Sequence, residues 1–85
     1  MNRRRLLKRL AEGALKNVSF SDFTNLVEGF GFRLTRVTGS HHIFAHPNIP
    51  ELANLQEVKG ETKPYQIRQF LRLVERYDLK LEEEE

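Results

Sequence analysis

Apolar positions along the chain change period twice, and the changes mark its elements. Phe20, Phe23, Leu26, Val27 and Phe30 recur at spacings of three, three, one and three, which predicts an amphipathic helix over 19–30. Ser19 stands where it can N-cap that helix, and Asp22 places negative charge in the first turn. Val18 and Phe23 occupy the positions of a hydrophobic staple, and Gly31 marks the stop. The period then drops to two. Phe32 and Leu34 alternate with Arg33, Thr35 and Val37, a half-buried strand. Gly39-Ser40 turns it, and His41 to His46 returns as a second strand closed by Pro47. Alternation sets His41, Ile43 and Ala45 on one side and His42, Phe44 and His46 on the other.

Beyond the rigid loop Pro47-Asn48-Ile49-Pro50, Asn54 to Val58 reads as a weaker third strand, followed by a turn at Gly60-Glu61-Thr62. Pro64 suits the first position of a last helix, where its missing N–H costs nothing. Ile67, Phe70, Leu71, Val74 and Tyr77 form that helix's buried face, and Arg68, Arg72 and Arg76 form a basic row on another. Residues 1–18 are expected to be a basic N-terminal extension, a helix-like segment weakened at Gly13 that is either a solvated cap or a grip for phosphates or a partner, and residues 81–85 an acidic solubilising tail. The domain proper spans 19–80. Its order is helix, three strands, helix. That predicts an α+β sandwich, a three-stranded antiparallel sheet with two helices on one face and the other face open to a broad ligand.

Composition narrows the function. With 85 residues the chain is one small domain, close to the lower size limit for a core without disulfides or metal. It has no Cys, which excludes a disulfide framework or a thiolate site and fits a cytoplasmic home. No apolar run approaches the ~20 residues of a membrane span, and the basic start is not followed by a signal-peptide core. The net charge of +2 conceals an asymmetry, because four of the 12 acids are Glu82 to Glu85. Residues 1–81 hold fourteen basic groups against eight acidic ones, a net +6, which suits a polyanion such as nucleic acid.

Two of the three histidines lie together at Gly39-Ser40-His41-His42. A turn feeding a strand fixes where such a side chain starts, and imidazole exchanges protons near neutrality. A metal site is disfavoured, since His42 and His46 on a strand are roughly 13 Å apart and no Cys or nearby carboxylate completes the ligand set. Nucleophilic catalysis by Ser40 is disfavoured too, because Ser40 and His41 project to opposite sides and the Gly-x-Ser-x-Gly elbow is absent. Acid–base cleavage of RNA needs neither metal nor cofactor, because RNA brings its own 2′-OH nucleophile. Beside it stands the plain reading of two strand histidines, one packed and one exposed.

The segment from about Ser19 to Leu79 resembles a HicA-type toxin, the small ribonuclease half of a toxin–antitoxin pair. The likeness rests on Gly29-Phe30-Gly31-Phe32, on Arg36-Val37-Thr38-Gly39-Ser40-His41-His42-Ile43-Phe44, on the Gly60 to Pro64 turn, and on the helix with Ile67, Phe70 and Leu71. The resemblance implies a fold like a double-stranded RNA-binding domain, α-β-β-β-α, an mRNA interferase activity, and a HicB-like antitoxin as partner. It implies that the His after Gly-Ser, here His41, carries the catalytic proton, with Gly39 and Ser40 shaping its approach. Strand alternation makes the adjacent His42 the second candidate. RNA is then expected to lie across the open face, its phosphates drawn by Arg36, Lys59, Lys63 and Arg68. The third strand departs from the family's pattern, with Leu55-Gln56-Glu57-Val58 where a further basic or His-containing segment is common.

The apolar Ile43 would face the core, which turns His41 inward and His42 outward unless a bulge beside Gly39 reverses the first residue. A non-catalytic RNA-binding module of the same fold, or an adaptor recognised only by a protein partner, are the competing functions.

Overall fold

The computed structural model describes residues 1–82 and orders them as α1 (Arg3–Ala11), β1 (Val18–Ser19), α2 (Phe20–Gly29), β2 (Arg33–Thr38), β3 (His41–Ala45), β4 (Ala53–Val58), β5 (Glu61–Thr62) and α3 (Pro64–Arg76). Ser19 N-caps α2, its Oγ accepting from the Asp22 N–H at 3.1 Å. The reversal after α2 falls on Gly31, whose φ of +97° lies where side chains are strained.

The class is α+β as expected, but the sheet is antiparallel with five strands, not three, in the order β1-β5-β4-β3-β2. The extra strands arise because the turn falls earlier than expected. Lys59 and Gly60 both adopt positive φ, 52° and 77°, the pairing a two-residue type I′ hairpin requires. Glu61 and Thr62 therefore run back along Val58 and Glu57 instead of forming the turn. Val18 then pairs with Thr62, and the Phe20 N–H donates to the Gly60 carbonyl at 2.8 Å. Two-residue strands show no periodicity; only the tertiary neighbour makes them strands.

A second correction concerns faces. Opposite β3, Leu34 pairs with Phe44 and Arg36 with Ile43, so Thr35 is an extra residue, a β-bulge, and its hydroxyl donates to the Ile43 carbonyl at 3.0 Å. Past the bulge the alternation inverts. Val37 joins Leu34 on the helix side, and Arg36 joins Arg33 on the open side, contrary to the expected split. On β3 the inward residues are His42 and Phe44, and His46, just past its end, lies on the same side. Phe44 is buried, the His42 ring meets Phe20 edge-on at 4.8 Å, and the His46 ring meets Phe32 at 5.1 Å. Ile43 faces outward, and no bulge beside Gly39 is needed. Phe44 carries more apolar area than Ile43, and its burial decides the strand's orientation.

Phe70 of α3 meets Phe23, Phe30 and Phe32 edge-to-face, with centroids 5.4–5.7 Å apart, and so joins both helices to the start of β2. Helix α1 is not a solvated cap. Leu6 and Leu10 are buried in the same core, and the Arg3 guanidinium donates to Asn25 Oδ1 of α2 at 2.8 Å. Gln66 of α3 is also buried, and its Oε1 accepts the Gln56 N–H at 2.9 Å, where β5 has already ended. After α3, Leu79 and Leu81 pack on the core and the Glu82 N–H donates to the Gly29 carbonyl. The rest of the expected acidic tail, 83–85, lies outside the described residues.

Leu10→Ala is expected to lower unfolding free energy by about 2–5 kcal/mol in urea titration, the cost of a buried leucine cavity and far more than loss of a solvated cap would cause. At the far end of α3, Glu51 accepts from the Tyr77 hydroxyl at 2.6 Å and from Arg76 at 3.1 Å. These bonds, Tyr77's first, hold the Glu51 carboxyl below its ordinary 4.5, while the carboxylate raises the Tyr77 hydroxyl above its ordinary 10.0. A depressed carboxyl stabilises the fold above pH 4.5, and the effect fades as pH falls through the folded value. Glu51→Gln is therefore expected to flatten the acid side of a melting-temperature profile; an unchanged acid limb would assign that limb to other carboxylates.

Candidate functional site

The hairpin between β2 and β3 builds the site. Thr38 and His41 close a two-residue turn in which Gly39 has φ +60° and Ser40 does not share the positive φ, a glycine-first arrangement that fits type II′. Open space surrounds Gly39, so its conformation and not its size is what the turn needs. Ser40 is tied down on both sides. Its carbonyl accepts from the Glu57 N–H at 3.0 Å, and its Oγ lies 3.3 Å from Gln56 Nε2. The first residue of β3 is thereby held against β4.

His41 stands on the open face of the sheet, exposed, opposite Gln56. Its Nδ1 lies 3.2 Å from Asn54 Oδ1. A carbonyl oxygen only accepts, so this bond puts the ring proton on Nδ1 and leaves Nε2 with its lone pair. His42 has the same tautomer for another reason, its Nδ1 donating to the Ser40 carbonyl at 3.3 Å, but its ring lies against Phe20 on the helix side. His46 has the opposite one, because its Nδ1 accepts the Asn48 N–H at 3.1 Å. Of the three, His41 alone presents a bare ring nitrogen on the open face.

The basic residues divide into two groups. Arg36 pairs with Ile43 and so shares the open face with His41, two residues along the strand pair. Lys59 and Lys63 meet at the corner where the β4–β5 turn reaches α3. There they line a shallow cleft of about 290 Å³ with Lys16, Asn17 and Thr62. Lys59 lies three residues beyond Gln56, roughly 10 Å along β4 from the position opposite His41. Arg68 is exposed on α3, outside the lining of that cleft. Of the other two arginines in the expected row, Arg76 is bound to Glu51.

Asn54, Gln56 and Lys16 were not singled out by sequence. Alternation over Ala53 to Gln56 does carry a signal for the first two, since they alternate with the buried Ala53 and Leu55. What fixes them opposite Ile43 and His41 is the β3–β4 register, set by the loop and not by composition. Lys16 reaches the cleft because Asn17, at φ +58°, turns the chain back into β1. No pattern in residues 1–18 announces that.

The family model described as HicA toxin of bacterial toxin-antitoxin matches residues 20–75, most of the chain and all but the last residue of the α2-to-α3 unit. The chain belongs to the HicA toxin family. As a toxin of such a pair it has a cognate antitoxin for a partner. Neither the curated proteins nor the solved structures contain a match to this chain. Among the described residues no helix is long and apolar enough to cross a membrane.

The two neighbouring histidines are expected to separate in a stability measurement. His41→Ala, exposed, leaves thermal unfolding within about 0.5 kcal/mol of the parent. His42→Ala, which removes the ring against Phe20, costs about 0.5–1.5 kcal/mol. The reverse order would place His42 and not His41 on the open face.

Proposed function

We propose that this toxin is an endoribonuclease that cleaves mRNA without metal, with His41 as its catalytic proton carrier. The observation that carries the reading is the His41 ring, exposed on the open sheet face with Nδ1 engaged by Asn54 and Nε2 left to accept a proton. RNA laid on this face brings a 2′-OH to Nε2. As His41 takes its proton, the 2′-oxygen attacks the adjacent phosphorus and the bond to the 5′-oxygen breaks. The leaving 5′-oxygen takes its proton from water, and the products are a cyclic phosphate end and a free 5′-hydroxyl. Asn54 stabilises the imidazolium that forms and holds the ring's direction. His42 contributes packing against Phe20 instead of chemistry.

Arg36 offers a guanidinium on the same face, suited to a phosphate oxygen as charge develops there. Lys59 and Lys63, with Lys16 beside them, take phosphates further along the strand, where the N-terminus of α3 adds its own partial positive charge. Arg68 adds charge along α3. Gly39 and Ser40 serve by fixing the turn that presents His41. The antitoxin of this reading is HicB-like.

Cleavage of a single-stranded RNA in the presence of chelator tests this directly. His41→Ala is expected to lose at least about a hundredfold in rate with its circular dichroism unchanged, while His42→Ala keeps most of its activity in proportion to its stability. Arg36→Ala is expected to weaken RNA binding and to make its salt dependence shallower by about one counterion. A His41→Ala protein that cuts at the parent rate removes His41 from the mechanism. Salt-sensitive RNA binding with no cleavage by any form would make the protein a binding module.

A further inference from the structure

Among the described residues strand β2 ends the sheet, pairing with β3 on one side only, and all six of its residues are exposed. An outer strand offers a row of backbone N–H and C=O groups to any chain that lies alongside, and proteins commonly blunt it with charge or a bulge. Here the bulge at Thr35 has a second effect. By shifting the alternation it puts Leu34 and Val37 on the same side of the strand, where they stay 46% and 50% exposed. Neither α2 nor α3 covers them. Of the large apolar side chains left exposed, these two are neighbours on one strand, whereas Met1, Leu52 and Tyr65 are scattered. Behind Val37 lies His42 on Phe20, so the apolar strip runs on toward the core. The other side of the strand carries Arg33 and Arg36.

We propose that the cognate antitoxin docks here by adding a strand to β2. Its apolar residues cover Leu34 and Val37 at alternate positions, and its acidic residues meet Arg33 and Arg36 on the opposite side. The inference rests on the membership of the HicA toxins, which supplies the antitoxin, and not on the chemistry of His41. Charge argues against the other strand donor, a second copy of this chain. An antiparallel β2–β2 pair would set arginines against arginines across the new edge. The position also fits a blocking partner. Thr38 pairs with His41, so a strand added to β2 lies two strand spacings, about 10 Å, from β3. From there the antitoxin's acidic residues reach the open face, and Arg36 is taken from RNA by a carboxylate.

The test uses the whole chain and the purified antitoxin encoded beside it. Titration is made against the parent and against the double variant Leu34→Ser/Val37→Ser, and amide hydrogen exchange is followed along β2 in free and bound toxin. The expected result is exchange slowed at least tenfold over Arg33–Thr38 in the complex, with affinity at least tenfold weaker in the double variant. The variant's circular dichroism and RNA cleavage should match the parent. Unslowed exchange along β2, or undiminished affinity of the double variant, overturns the proposal. Slowed exchange in the toxin alone at high concentration assigns the edge to a second copy and overturns it as well. Binding and exchange need no turnover, so a parent that cleaves no RNA counts against the nuclease and not against the docked strand.

Discussion

Packing of the Phe70 ring against Phe23, Phe30 and Phe32 is the constraint on which the other features rest. It fixes α3 to α2 and holds both over the entry to β2. Phe44, Leu55 and Ala53 complete the layer beneath. With Phe44 facing the helices, the two-residue period of a strand leaves His41 no choice of side. The exposed imidazole is thus a consequence of core packing two or more residues away. Single residues on the sheet's open face can change without touching the core that orients them.

Hydrogen bonds then turn a position into a chemistry. Three imidazoles within six residues of chain have three different surroundings: an amide oxygen at His41, a backbone carbonyl and an aromatic ring at His42, a backbone N–H at His46. Each partner selects which nitrogen carries the proton. Only the combination at His41 joins an accepting Nε2 to an open face. Ser40 supports this indirectly, because its carbonyl and hydroxyl tether the turn to β4 and stop the first residue of β3 from fraying.

The same strand pair presents two different surfaces on its two sides. The bulge at Thr35 sends Arg36 to the side of His41 and Val37 to the side of Leu34, so one inserted residue sorts cations onto the open face and apolar groups onto the other. Small domains have little interior to spare, and an outer strand is where two such different surfaces can lie within a few residues of each other. The corner of Lys16, Lys59 and Lys63 extends the cationic side, at the cost of holding Lys59 in a left-handed conformation.

From the sequence alone, α2 was determined almost entirely, because its cap, staple, stripe and stop agree. So were the Gly39-Ser40 turn and the start of α3 at Pro64, while the resemblance of its surroundings points to His41, which stands exposed at the start of β3. Strong local signals fix local structure. The tertiary structure decided the rest. Burial of Phe44 over Ile43 set the face of β3, and a bulge without its own signature set the faces of β2. β1 and β5 are too short for any period and exist through pairing. α1 belongs to the core because Leu6 and Leu10 find a surface on α2 that no pattern within residues 1–18 describes. In each case the deciding contact joins residues far apart in the chain, and a periodic pattern records only which side of an element is apolar, not what it meets.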